Sequence, residues 1–125
     1  MRRNISIKLK DWYCSATRKP LILNGARQVG KTYILNEFGR ETYQNVAYVN
    51  LDKDKQAASL WNKDYDVKRI ILSLSALLNE KILPGQTLII LDEIQECPNA
   101  RTALKFLATD ERCDVVASGS LLGIK

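Results

Sequence analysis

Apolar positions recur at two different spacings along this chain, and the alternation between them predicts the elements. Leu9, Trp12, Tyr13 and Ala16 fall at i, i+3, i+4 and i+7, which predicts an amphipathic helix over 5–17 whose apolar stripe lies on a sheet. Pro20-Leu21-Ile22-Leu23-Asn24 is a short apolar run that reads as a buried strand, and Ile34, Leu35 and Phe38 set a helix over 31–38 that Gly39 is expected to stop. Residues 45–52 are rich in β-formers and read as a second strand, with the charged residues Asp52, Lys53, Asp54 and Lys55 as a surface loop after it. Asp66 is the expected N-cap of a long helix in which Val67, Ile70, Ile71, Leu74, Leu77, Leu78 and Lys81 or Ile82 recur at three and four, ended by Pro84-Gly85. Four consecutive apolar residues from Leu88 to Leu91 suit a strand buried on both faces. Pro98 and Asn99 open a further helix with Ala103, Leu104, Leu107 and Ala108 on its inner face, and residues 114–118 form a fourth strand leading to Gly119-Ser120-Leu121-Leu122-Gly123.

Two strand ends carry candidate chemistry. After the first strand comes Gly25-Ala26-Arg27-Gln28-Val29-Gly30-Lys31-Thr32, which fits the phosphate-binding pattern G-x-x-x-x-G-K-[ST] with a strand before it and a helix after it. Gly25 and Gly30 allow close approach of backbone to phosphate. Lys31 offers a point charge to the β- and γ-phosphates, and the Thr32 hydroxyl suits the accompanying Mg²⁺. About sixty residues further on, the buried strand ends in Asp92-Glu93. Ligands of open α/β sheets bind beyond the carboxyl ends of the strands, so this pair is expected beside the phosphate loop. Asp92 would hold Mg²⁺ and Glu93 would polarise the attacking water. Ser118 and Ser120 also reach that edge, where either hydroxyl could sense the γ-phosphate or the water, or simply build a turn of small polar residues. Trp12 or Tyr13 could flank the base, although an aromatic stripe at helical spacing is more often core.

Composition narrows the classes. A chain of 125 residues with 46% apolar and 26% charged residues is one globular domain at most. Its apolar runs fall far short of the roughly 20 residues a spanning helix needs, and residues 1–10 lack the apolar stretch of a secretory signal, so no membrane role is expected. Cys14, Cys97 and Cys113 are widely separated and no histidine accompanies them, which points to a reduced, cytoplasmic setting and away from zinc. Net charge is +5, with Arg2, Arg3, Lys8, Lys10, Arg18 and Lys19 near the N-terminus; nucleic acid could use such a cluster, but with little aromatic interleaving a solvated face is the better reading.

Three strings, GARQVGKT at 25–32, LDEIQE at 91–96 and SGSLLG at 118–123, together resemble a group of prokaryotic AAA-type ATPases, and the resemblance runs along nearly the whole chain. It implies a three-layer P-loop fold of the additional-strand, catalytic-glutamate type, with a mostly parallel sheet in the order 5-1-4-3-2. It also implies ATP and Mg²⁺ as ligands, Lys31 and Thr32 in the Walker A role, Asp92 and Glu93 as the Walker B pair, and Ser118 or Ser120 as sensor. Members of the group continue into a fifth strand, an arginine-bearing lid and a C-terminal domain, so residues 1–125 are expected to be the N-terminal part of such a domain. Without the fifth strand, the strand at 21–23 would lie at a sheet edge, which predicts dimerisation or poor solubility. No arginine has an assignable finger role, although Arg27 lies inside the loop, so the expectation is an ATPase that binds ATP and ADP better than it turns ATP over. The alternatives are a nucleotide-gated module for an unknown protein partner and a nucleic-acid-associated switch. ATP rather than GTP comes from the resemblance, since no Asn-Lys-x-Asp string is present.

Overall fold

The computed structural model describes residues 2–15, 19–25, 31–83, 85–109 and 114–120. Four strands, β1 (Leu21–Gly25), β2 (Asn45–Asn50), β3 (Thr87–Asp92) and β4 (Asp114–Ser120), form one sheet in the order β1-β4-β3-β2. All three pairings are parallel. This matches the expected α/β class, and the four strands stand in the expected relative order. Among the described residues, β1 and β2 are the sheet's edges.

Helices cover both faces, as parallel strands require. Helices α1 (Arg2–Tyr13) and α2 (Lys31–Thr42) lie on one face, where Leu9, Ile34, Leu35 and Phe38 pack on Leu23, Leu88, Ile90 and Val116. On the other lie α3 (Lys55–Ser59), α4 (Val67–Leu78) and α5 (Pro98–Thr109), with Ile70, Leu74, Ala103, Leu104 and Leu107 against Ala47, Val49, Ile89, Leu91, Val115 and Ala117. β3 is central and buried at every position, which is why its sequence lacks polar alternation.

Four elements differ from expectation. α2 runs through Gly39 to Thr42. Gly39 is not a stop but a point of close helix–sheet approach: a Cβ there would lie 2.5 Å from Val46 Cγ2 and 3.2 Å from Leu88 Cδ2. Gly39→Ala should therefore destabilise the protein by about 1–3 kcal/mol despite alanine's better helix propensity, measurable as a lower midpoint in urea. An unchanged or higher midpoint would mean that α2 can shift freely off the sheet.

α4 ends at Leu78 rather than at Pro84-Gly85. Asn79 takes the left-handed conformation (φ 53°, ψ 43°) and its N–H bonds Ser75 O, closing the helix. The chain after it is tied to the amino edge of the sheet, where Thr87 Oγ1 donates to Asn45 Oδ1 (2.6 Å) and Asn45 Nδ2 donates to Lys81 O (2.8 Å). The N-cap is as expected, with the Asp66 carboxylate accepting from Lys68 N.

The charged segment at 52–55 leads directly into α3, which the Asp54 side chain caps by accepting from Ala57 N at 3.1 Å. A 3₁₀ turn, Leu60–Asn62, follows and buries Trp61 completely within the α4–α5 face. Helix α1 occupies Arg2–Tyr13, several residues earlier than periodicity alone suggests.

Candidate functional site

The carboxyl edge of the sheet collects side chains from several elements. Gly25 ends β1 and Lys31 opens α2; Ala26, Arg27, Gln28, Val29 and Gly30, with the side chain of Lys31, lie outside the described residues. Thr32, in the first turn of α2, donates through Oγ1 to Asp92 Oδ2 at 2.7 Å, joining residues 60 apart in the chain. The expected pairing of the Gly-Lys-Thr segment with the end of the buried strand is thus a direct contact.

Asp92 is 5% exposed, and a carboxylate buried to that extent needs its acceptor sites filled. Three donors fill them. Thr32 Oγ1 and Tyr48 Oη both reach Oδ2, each at 2.7 Å, and the Glu93 backbone N–H reaches Oδ1 at 3.0 Å. A single carboxylate and a hydroxyl, fixed side by side, form a hard-oxygen pair of the kind that Mg²⁺ takes when a substrate's phosphates complete its shell. Among the described residues no group of three or more His, Cys, Asp or Glu side chains gathers.

Glu93 follows in a left-handed backbone conformation (φ 57°, ψ 48°), one of two described non-glycine residues with positive φ. Such a conformation costs about 1–3 kcal/mol for a residue with a Cβ and is held by its surroundings. Here it turns the chain out of β3 into the 3₁₀ turn Ile94–Glu96, and its carboxylate Oε1 accepts from Gln95 Nε2 at 2.6 Å. Ser118 is buried on β4 and lies one step beyond the pairing of Leu91 with Ala117, on the strand beside Asp92. Ser120 pairs in register with Gly25, at the start of the loop segment; its side chain lies outside the described residues. Trp12 packs partly buried against the core of the α1–α2 face, its indole N–H donating to Lys19 O at 2.6 Å, whereas Tyr13 is 38% exposed and meets Phe38 and Tyr43 edge-on.

Tyr48 is the site residue that sequence reasoning missed. It lies two residues before Asn50, which pairs with Asp92, so Tyr48 and Asp92 are diagonal neighbours on adjacent strands. The signal available beforehand was a hydroxyl-bearing aromatic near the carboxyl end of a strand, but only the register aims it at Asp92. Burial, the hydrogen bond to Asp92 and that residue's negative charge push the Tyr48 phenol up from 10.0 to about 12, against smaller opposing effects of Asn50 and Thr32. A folded-state value above the unfolded one means that the native state holds this proton more tightly. Its stability contribution is complete below pH about 10 and disappears as pH rises through about 12. Tyr48→Phe should lower stability by about 1 kcal/mol at neutral pH and flatten the alkaline limb of the stability profile. An alkaline limb of unchanged steepness in the variant would remove Tyr48 as its source.

No helix among the described residues is long and apolar enough to cross a membrane. The fold is similar to that of the Aeropyrum pernix Orc1 protein, solved in complex with DNA, with a TM-score of 0.59 at 19% sequence identity; the match covers 98% of this chain and 38% of that one. The present sequence thus spans little more than a third of that protein's length. No curated protein matches it. The family model described as AAA domain matches residues 17–125, which include the Gly-Lys-Thr segment, the Asp92-Glu93 strand end and all four strands. On that match, joined to the parallel sheet and the Thr32–Asp92 contact at its carboxyl edge, this chain belongs to the AAA domain family.

Proposed function

We propose that this chain binds MgATP at the carboxyl edge of its sheet and hydrolyses it to ADP and phosphate. The observation that carries the reading is the 2.7 Å hydrogen bond between Thr32 and Asp92, which brings the end of the phosphate-loop segment onto the end of the buried acidic strand. Membership of the AAA domain family supports it independently. In this account Gly25 to Lys31 wrap and neutralise the phosphates, while Thr32 and Asp92 hold Mg²⁺, which supplies neutralisation of charge on the phosphoryl oxygens. Tyr48 keeps Asp92 oriented. Glu93 aligns water for in-line attack on the γ-phosphorus and accepts its proton, and ADP leaves on the opposite side. Ser118 or Ser120 contacts the γ-phosphate end.

The test is release of inorganic phosphate from ATP under single-turnover conditions, with protein in excess and with Mg²⁺ present or chelated. Mg²⁺-dependent release, slow because no arginine finger is assigned within the chain, is the expected result. Tight binding without release would reduce the reading to a nucleotide-gated binding module. A nucleic-acid-linked switch is the second reading, favoured by the DNA bound to the structurally similar Orc1 protein and by the +5 charge. It predicts turnover that DNA stimulates and salt suppresses. The β1 edge supports self-association as a further property, read by light scattering.

A further inference from the structure

The turn that carries Glu93 packs against β4. Gln95, in the middle of the 3₁₀ turn Ile94–Glu96, places its amide between two groups. On one side Nε2 donates to Glu93 Oε1 at 2.6 Å; a carboxylate can only accept, so the amide must present its N–H₂ there. On the other side Gln95 Oε1 faces Gly119 of β4. A Cβ at Gly119 would stand 2.9 Å from that oxygen and 3.2 Å from Ile94 Cγ2. Gly119 thus leaves the space in which the amide sits, and the amide fixes the carboxylate.

We propose that Gln95 is a positioning residue for Glu93, seated on Gly119, so that the ends of β3 and β4 act as one unit in the hydrolytic step. The inference rests on the reading of Glu93 as the residue that aligns water. A carboxylate next to a left-handed turn has rotamers to lose, and a short charge-assisted hydrogen bond selects among them. Misplacement of a reacting group by about 1 Å can cost about a hundredfold in rate. The glycine between Ser118 and Ser120 then has a task beyond turn flexibility: it admits the Gln95 amide against the strand.

The experiment pairs single-turnover phosphate release with titration of a non-hydrolysable ATP analogue, using the 125-residue chain and its variants. Gln95→Met keeps the side chain's length and apolar packing but removes the donor. It should lower the hydrolysis rate constant about tenfold while the analogue's Kd stays within about twofold. Gln95→Glu, which sets a second carboxylate against Glu93, should lose at least as much. Gly119→Ala should also slow the step, and the double variant Gly119→Ala/Gln95→Met should be no slower than Gln95→Met alone, because both act through one contact. A Gln95→Met protein that hydrolyses at the unaltered rate, or that loses rate only in proportion to binding, overturns the proposal. Losses that simply add in the double variant overturn the link to Gly119. Glu93→Gln in the same assay separates the two levels. If it hydrolyses normally, or if the unaltered chain releases no phosphate, the reading of Glu93 itself fails; if it is inactive while Gln95→Met is normal, only the positioning role fails.

Discussion

Lys31→Ala is expected to abolish measurable nucleotide binding. Lys31 opens α2 immediately before Thr32, whose hydroxyl is already committed to the Asp92 side of the site, so in the proposed arrangement the lysine is the cation nearest the β- and γ-phosphates. Truncating one partner of a desolvated, hydrogen-bonded charge pair costs about 2–5 kcal/mol, or roughly thirty- to several-thousand-fold in Kd. The fold should survive, because α2 is anchored by Ile34, Leu35 and Phe38 in the core. Titration calorimetry beside a thermal melt reads both: binding lost with the melt intact is expected. Full affinity in the variant would remove the lysine from the site.

Glu93→Gln should separate binding from chemistry. Glutamine has nearly the same shape, and its carbonyl oxygen can still accept from Gln95 Nε2, so the turn into Ile94–Glu96 should persist. The Thr32–Asp92–Tyr48 cluster does not depend on the Glu93 side chain, so affinity for MgATP should be retained. What is lost is the base that orients and deprotonates water, which typically contributes about 10²–10⁴ in rate. Single-turnover hydrolysis should fall into that range below the unaltered chain while analogue binding is unchanged. Hydrolysis at the original rate would assign the base elsewhere.

The legibility of this chain divides along physical lines. β3 was readable because a central parallel strand is buried on both faces, so the Leu88–Leu91 run has no polar alternation. The start of α4 was readable because Asp66 caps it through atoms two residues away. The juxtaposition of Thr32 with Asp92 was readable because parallel α/β sheets bring strand ends together. What depends on packing between distant segments was not. Gly39 looked like a stop, since its reason for being glycine is Val46 and Leu88 across the helix–sheet contact. The end of α4 was masked because Ile82 continues the apolar spacing past Asn79, and only the left-handed turn of that asparagine breaks the helix. The charged run at 52–55 hid a capped helix that buries Ala57 and leads into the turn that buries Trp61. Tyr48 and Gln95 could not be assigned from the string, because their partners are set by strand register and by a turn at positive φ.

The central claim is that residues 25–32 and the Asp92-Glu93 strand end make one nucleotide site within this chain. The measurement that tests it most directly is calorimetric titration of the purified protein with a non-hydrolysable ATP analogue in the presence of Mg²⁺. The account predicts saturable binding at one site per chain, weakened when Mg²⁺ is chelated. Titration without heat of binding at any accessible concentration, by a protein that melts cooperatively, would contradict it.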